Sequence, residues 1–60
     1  MAGDKFDQEQ IVSYWLTESK EAADVASHLM EKGNYSYALF FGHLAVEKLL
    51  KAIFVSRHTP

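Results

Sequence analysis

Between Gln8 and Leu29 apolar side chains return at largely three- and four-residue spacing, at Ile11, Trp15, Ala22, Val25, Ala26 and Leu29. Glu18, Lys20, Glu21 and Asp24 lie mostly off that stripe, which is the pattern of an amphipathic helix with one face turned to a partner. The segment KFDQEQI reads as its start: Asp7 can cap, Gln10 three residues later can complete a capping box, and Phe6 with Ile11 can form a hydrophobic staple. A first helix is therefore predicted over about 8–32. Its middle, EAADVA, is small, so a partner helix can come close there. In KGNY, Gly33 suits the left-handed position just past a helix end and Asn34 can cap a second helix, which makes a tight reversal.

That second helix is predicted over about 35–56, and its pattern is different. At roughly 100° per residue, Ala38, Phe41, Gly42, Ala45, Val46, Leu49, Ala52 and Ile53 fall on one broad face suited to packing on the first helix. Leu39 and Leu50 remain to one side, Leu44 and Val55 to the other, and Phe40 and Phe54 flank the far side. One neighbouring helix covers an apolar arc of somewhat over about 100°, so this helix is built for two or more neighbours. Three such side chains left in water forfeit on the order of 5 kcal/mol, at roughly 1.5 to 3 kcal/mol each, as much as the whole stability of a small domain. The expected fold is all-α: an antiparallel helical hairpin that forms part of an up-down bundle. It is completed by a homodimer of four helices or by further helices of a longer bundle, and the closing VSRHTP, where a helix gives way to a connection, fits the second case.

Composition narrows the ways such a chain can be held together. Sixty residues with 48% hydrophobic content make at most one small domain, and the absence of cysteine removes disulfides and a thiolate zinc site as staples. Association is what remains. The polar start MAGDKFDQEQ has no apolar h-region, and His43, Glu47, Lys48 and Lys51 interrupt the most apolar stretch, so no signal sequence, membrane span or membrane partner is expected. A soluble, cytoplasmic chain is the expectation. The net charge of −2 gives no overall attraction for nucleic acid, although Lys48, Lys51, Arg57 and His58 make the C-terminal third locally basic.

Residues able to carry chemistry are few. His43, Glu47 and Lys51 succeed one another at four-residue intervals on the polar strip of the second helix, between Phe40 and Phe54. The plain reading is a solvated ladder in which Glu47 pairs with Lys51; at an interface the same row would serve binding or acid-base work. His28 with Glu31, and His43 with Glu47, offer nitrogen and carboxylate groups on paired helices, with Asp24 roughly level with His43. Carboxylate-bridged metal bundles use Glu-x-x-His on two helices plus further glutamates, so neither a metal nor a cofactor is expected here. Tyr14, Trp15, Tyr35, Tyr37, Phe40 and Phe41 offer a base-stacking platform, but aromatics at helical spacing without interleaved Lys or Arg belong first to a core or an interface. None of the serines lies in an elbow-like turn, and no Gly-rich phosphate loop is present.

These features together resemble the N-terminal half of a HEPN domain. Trp15 and Leu16 match the aromatic-Leu start, Ala22 and Ala23 before Asp24 the next segment, and Gly33, Tyr35 and Ala38 the Gly-x-Tyr-x-x-Ala turn. The specific part is the Ala-x-Glu-Lys-x-Leu-Lys-Ala helix, matched by Ala45, Glu47, Lys48, Leu50, Lys51 and Ala52. The resemblance implies a nucleotide- or RNA-associated helical module, a partner of a minimal nucleotidyltransferase in a toxin-antitoxin-like pair. His43, Glu47, Lys48 and Lys51 are the candidate ligand-binding residues. Ribonuclease members carry an Arg with a His several residues later, whereas in this chain Arg57 and His58 are adjacent. No complete catalytic site is expected within the sixty residues. The alternatives are a ribonuclease whose catalytic half lies beyond Pro60, and a helical dimerisation element without a ligand.

Overall fold

The computed structural model describes the backbone of residues 2–58 and the side chains of residues 8–58. Two helices account for it, α1 over Ala2–Glu31 and α2 over Tyr35–Arg57. They pack against each other, antiparallel, in a rod with Cα extents of 49 × 14 × 9 Å. No strand occurs among the described residues, and the all-α hairpin expected from the hydropathy pattern is the fold.

The reversal forms where glycine permits it. Gly33 has φ +83°, a left-handed conformation that costs glycine nothing because it has no Cβ. Around it the Asn34 amide donates to the Leu29 carbonyl at 2.9 Å and the Gly33 amide to the Met30 carbonyl at 3.1 Å, the paired bonds of a Schellman motif. Asn34 occupies the N-cap position of α2, but its side chain makes no capping hydrogen bond. Its ψ of 70° falls short of the extended backbone from which a capping side chain reaches the first-turn amides.

The start of α1 departs from expectation. The helix begins at Ala2 rather than near Gln8, so Asp7 lies inside it and does not hold the N-cap position. Lys5, Gln8, Glu9 and Gln10 are good helix formers and no proline interrupts the segment, so nothing stops the helix from running upstream through a sequence that could have capped it. The side chains of Phe6 and Asp7, and with them the staple and the capping box, lie outside the described residues.

The helices meet along a seam of small side chains. Ala22 of α1 and Ala38, Ala45 and Ala52 of α2 are buried, the last three at seven-residue spacing, and Phe41, Lys48 and Val55 each come three residues after one of them. From α1 come Gln8, Val12, Trp15, Ser19, Ala22, Ala26 and Leu29, alternately four and three apart, all buried or half-buried. This is the two-position stripe of a coiled coil, in which alanine lets the backbones come close. Two hydrogen bonds record that closeness: Ser19 Oγ donates to the Ala45 carbonyl and Gln8 Nε2 to the Val55 carbonyl, both at 2.8 Å. A serine side chain is too short to reach across a seam of larger residues.

The broad α2 face predicted to meet α1 is therefore only partly the face that does. Ala38, Phe41, Gly42, Ala45 and Ala52 lie on it, but Val46 at 55% exposure, Leu49 and Ile53 remain exposed, while Phe41, Lys48 and Val55 turn toward α1. The alanine heptad sets the contact because it allows the closest approach and hence the most dispersion contact between backbones. The surplus on α2 is correspondingly large: Leu39 at 70% exposure, Phe40, Leu50 and Phe54 are also on the surface. Among the described residues no larger side chain than alanine is buried.

This seam divides the rod into two flanks. On one, Glu18, Glu21 and Val25 of α1 line a small depression with Phe41, Leu44 and Lys48 of α2. On the other, Val12 and Leu16 of α1 lie near Ser56 of α2, the side to which Leu39, Gly42, Val46, Leu49 and Ile53 also rotate. Gly42 is in mid-helix, where glycine costs roughly 0.5–1 kcal/mol relative to alanine. A Cβ added to it would meet nothing within 4 Å, so packing within the hairpin gives no reason for it.

Candidate functional site

The four residues singled out on α2 do not gather at one point. Lys48 is half-buried at the edge of the seam, and its Nζ donates to Glu18 Oε1 at 2.9 Å in an ion pair between the helices. That hydrogen bond raises the Lys48 pKa above its ordinary value, because the carboxylate stabilises the charged ammonium. His43 and Glu47 are exposed on the outward side of α2. No Glu47–Lys51 ion pair forms among the described residues; Lys51 Nζ instead lies over the Trp15 ring, 4.8 Å from its centroid, a cation-π contact. A charged group finds a fixed partner across the seam more readily than along one exposed helix, where both side chains must be held in place against solvent.

The larger concentration of features is at the open end of the rod. Trp15, Lys51, Phe54, Arg57 and His58 line an open, mostly apolar groove of about 590 Å³, together with Leu50, Ile53 and Val55. The His58 ring stacks on Phe54 with centroids 4.0 Å apart and planes 27° apart, and its Nδ1 donates to the Phe54 carbonyl at 2.9 Å. That bond fixes the tautomer, since a carbonyl can only accept. The His58 amide also caps α2, donating to the carbonyls of Phe54 and Val55. Arg57 and His58 thus lie where the helix dipole is negative and favours cations. Lys51 and Arg57 provide positive charge, and Trp15, Phe54 and His58 provide ring faces. Such a set can take a flat, anionic ligand, rings against rings and anion against cations.

Other candidates separate. Tyr14 and Trp15 meet edge to face near the open end, with ring centroids 5.0 Å apart, whereas Phe40 and Phe41 meet at 5.4 Å in the turn half of α2, so the six aromatics do not form one platform. His28 Nδ1 donates to the Asp24 carbonyl at 3.0 Å. Among the described residues no three of the His, Asp and Glu side chains converge to hold a metal ion. Nor is any helix among them long and apolar enough to cross a membrane.

Sequence reasoning overlooked Glu18 as the partner of Lys48, Trp15 as the partner of Lys51, and the pairing of Phe54 with His58. Two of these had a signal in the register of the hairpin. Glu18 and Lys48 each lie fifteen residues from Gly33, and Trp15 and Lys51 each eighteen, so a reversal at Gly33 places both pairs level.

No curated protein and no solved structure matches the chain. A family model does: that of the HEPN domain, over residues 12–60, taking in the Glu18–Lys48 and Trp15–Lys51 pairs, the turn and the whole of α2. The match extends over most of the sixty residues, and the chain belongs to the HEPN domain family, a group of nucleotide- or RNA-associated helical modules that includes ribonuclease-type members.

Proposed function

We propose that this chain is an accessory module that binds a nucleotide, free or within RNA, and works beside a minimal nucleotidyltransferase in a toxin-antitoxin-like pair. The observation that carries this reading is the open-end groove, where Lys51, Arg57 and His58 stand beside the rings of Trp15 and Phe54 in a chain of the HEPN family. Phosphate oxygens would lie against Lys51 and Arg57, with a base against the Trp15 or Phe54 ring. His43 and Glu47 face outward on the same helix and would contact the longer part of an RNA ligand or the enzyme partner. Lys48 holds the two helices in register through Glu18 and so supports the site rather than touching the ligand.

NMR titration of the chain with ATP and with a short single-stranded RNA tests this. The expected result is shifts centred on the Trp15 indole and on residues 51–58, abolished by the double substitution Lys51→Ala, Arg57→Ala. Absence of shifts at millimolar nucleotide, together with failure to co-purify with a nucleotidyltransferase encoded beside it, would remove the proposal.

A further inference from the structure

Both rings that the open-end groove offers to a base carry a cover from the chain itself. The His58 ring stacks on Phe54, and Lys51 Nζ lies over the Trp15 ring, 4.8 Å from its centroid. The two covers are held differently. His58 is tied to the end of α2 twice more, its Nδ1 and its amide both donating to the Phe54 carbonyl. Lys51 has the ring alone: among the described residues no hydrogen bond or ion pair holds its ammonium. Lys51 is therefore the cover that yields. We propose that Lys51 sets the specificity of the groove, closing the Trp15 ring against an uncharged nucleoside and giving it up to a nucleotide, whose phosphate draws the ammonium away. This rests on the nucleotide-binding reading above and adds to it how the site tells a nucleotide from its nucleoside.

The exchange follows from the strengths of the two contacts. A cation over an exposed aromatic face is held weakly, whereas its hydrogen bond to a phosphate oxygen joins two charges and is roughly twice as strong as a neutral one. An anion in the groove wins the ammonium. Arg57 lines the same groove and gives that anion a second cation. The indole face left behind is the largest ring surface in the groove, ready for a base to stack on. Tyr14 meets Trp15 edge to face, with centroids 5.0 Å apart, and steadies the indole while Lys51 moves. A nucleoside without phosphate meets the opposite situation, because it must displace Lys51 from the ring and offers the ammonium nothing in exchange. Base and phosphate thus help each other: one occupies the ring that the other uncovers. The register of the hairpin makes the device reversible, since Trp15 and Lys51 are each eighteen residues from Gly33 and stay level when the ligand leaves.

NMR titration of the sixty-residue chain with AMP, adenosine and inorganic phosphate, followed at the Trp15 indole N–H, tests the proposal. The parent chain should bind AMP at least about tenfold more tightly than adenosine. Lys51→Ala leaves the ring open at an exposed helix position where alanine is the best helix former. It should weaken AMP by about tenfold and yet tighten adenosine by about two- to fivefold, because the ring no longer has to be cleared. Arg57→Ala removes a phosphate contact without opening the ring, so it should weaken AMP and bring adenosine no gain. Inorganic phosphate, which has no base, should shift the indole resonance of the parent and leave that of Lys51→Ala in place. A Lys51→Ala chain that binds adenosine no more tightly than the parent would overturn the proposal while AMP binding by the parent upholds the nucleotide reading, since Lys51 would then be a phosphate contact and nothing more. An equal gain in Arg57→Ala would overturn it too, because the gain would come from lost charge and not from an uncovered ring. Failure of the parent to bind AMP at all removes both readings together.

Discussion

Along the flank that carries Val25, Phe41 and Leu44, apolar side chains lie among Glu18, Glu21 and Lys48. Along the flank that carries Leu39, Val46 and Ile53 the charged neighbour is Glu9, beside Val12 and Leu16 toward the open end. Both flanks border the same alanine seam, and both present large apolar groups. The difference lies in what the polar groups do there: Lys48 and Glu18 cover part of the seam with their stems and join their charged ends across it, which keeps one flank compatible with water. Among the described residues, no ion pair spans the seam on the other flank. The lesson is that the count of apolar residues does not tell where a helix is covered by its mate; the placement of charges between them separates a wetted flank from a bare one.

The comparison can be broken most severely at the seam the flanks share. Ala45→Leu puts a side chain where the helices are closest and forces them apart, costing about 1–3 kcal/mol in overpacking, with roughly 1 kcal/mol more if the Ser19 bond is lost. At about 4–8 °C per kcal/mol for a chain of this size, the circular-dichroism melting temperature should fall by roughly 8–30 °C, disturbing both flanks together. Ser19→Ala removes the bond to the Ala45 carbonyl while leaving the seam volume almost unchanged. That carbonyl sits within α2, so the expected loss is smaller, about 1 kcal/mol or near 5 °C. If Ala45→Leu melts no lower than Ser19→Ala, close approach is not what holds the helices together.

Much of this was legible in the sequence. The turn was the clearest element, because Gly33 is the residue that adopts φ +83° at no steric cost, and the two helices run antiparallel from it. The surplus of apolar surface on α2 could likewise be seen, since Leu39, Leu50, Phe40 and Phe54 cannot all share one partner's arc. The rotation of the seam could not, because hydropathy weights Val46, Leu49 and Ile53 above Ala38, Ala45 and Ala52, while close packing weights them in the opposite order. The start of α1 escaped for a related reason: a capping pattern marks where a helix can begin, not where it must. At the candidate site, charges at four-residue spacing on one helix suggested a row, and partners fifteen and eighteen residues from the turn drew Lys48 and Lys51 to α1 instead.

A gentler probe sharpens the charged side of the comparison. Lys51→Met keeps the stem and removes the charge over Trp15, so the loss of stability should be about 0.5–1 kcal/mol, the range for an exposed cation-π contact. Indole fluorescence should respond to the same change, because the ring loses a cation 4.8 Å from its centroid. An unchanged emission maximum and melting temperature would show that Lys51 spends its time elsewhere in solution.

The smallest effect expected is at Lys48, and its sign is set by the direction of its pKa. Glu18 accepts a hydrogen bond from the Lys48 ammonium and raises its pKa in the folded chain above the ordinary 10.5. A raised folded pKa means that the folded state holds the proton more tightly than the unfolded state, so the lysine's contribution is fully present below the unfolded value. It is lost as pH climbs through the folded value. The difference in melting temperature between the parent chain and Lys48→Met should therefore be flat from pH 7 to about 9.5 and should close only on the alkaline side of 10.5. Because Lys48 and Glu18 are 24% and 30% exposed, solvent screens the pair, and the difference should also shrink as salt is raised toward about 1 M. A Lys48 effect that closed near neutral pH, or that was indifferent to salt, would show that the Glu18 pair is not what distinguishes the two flanks.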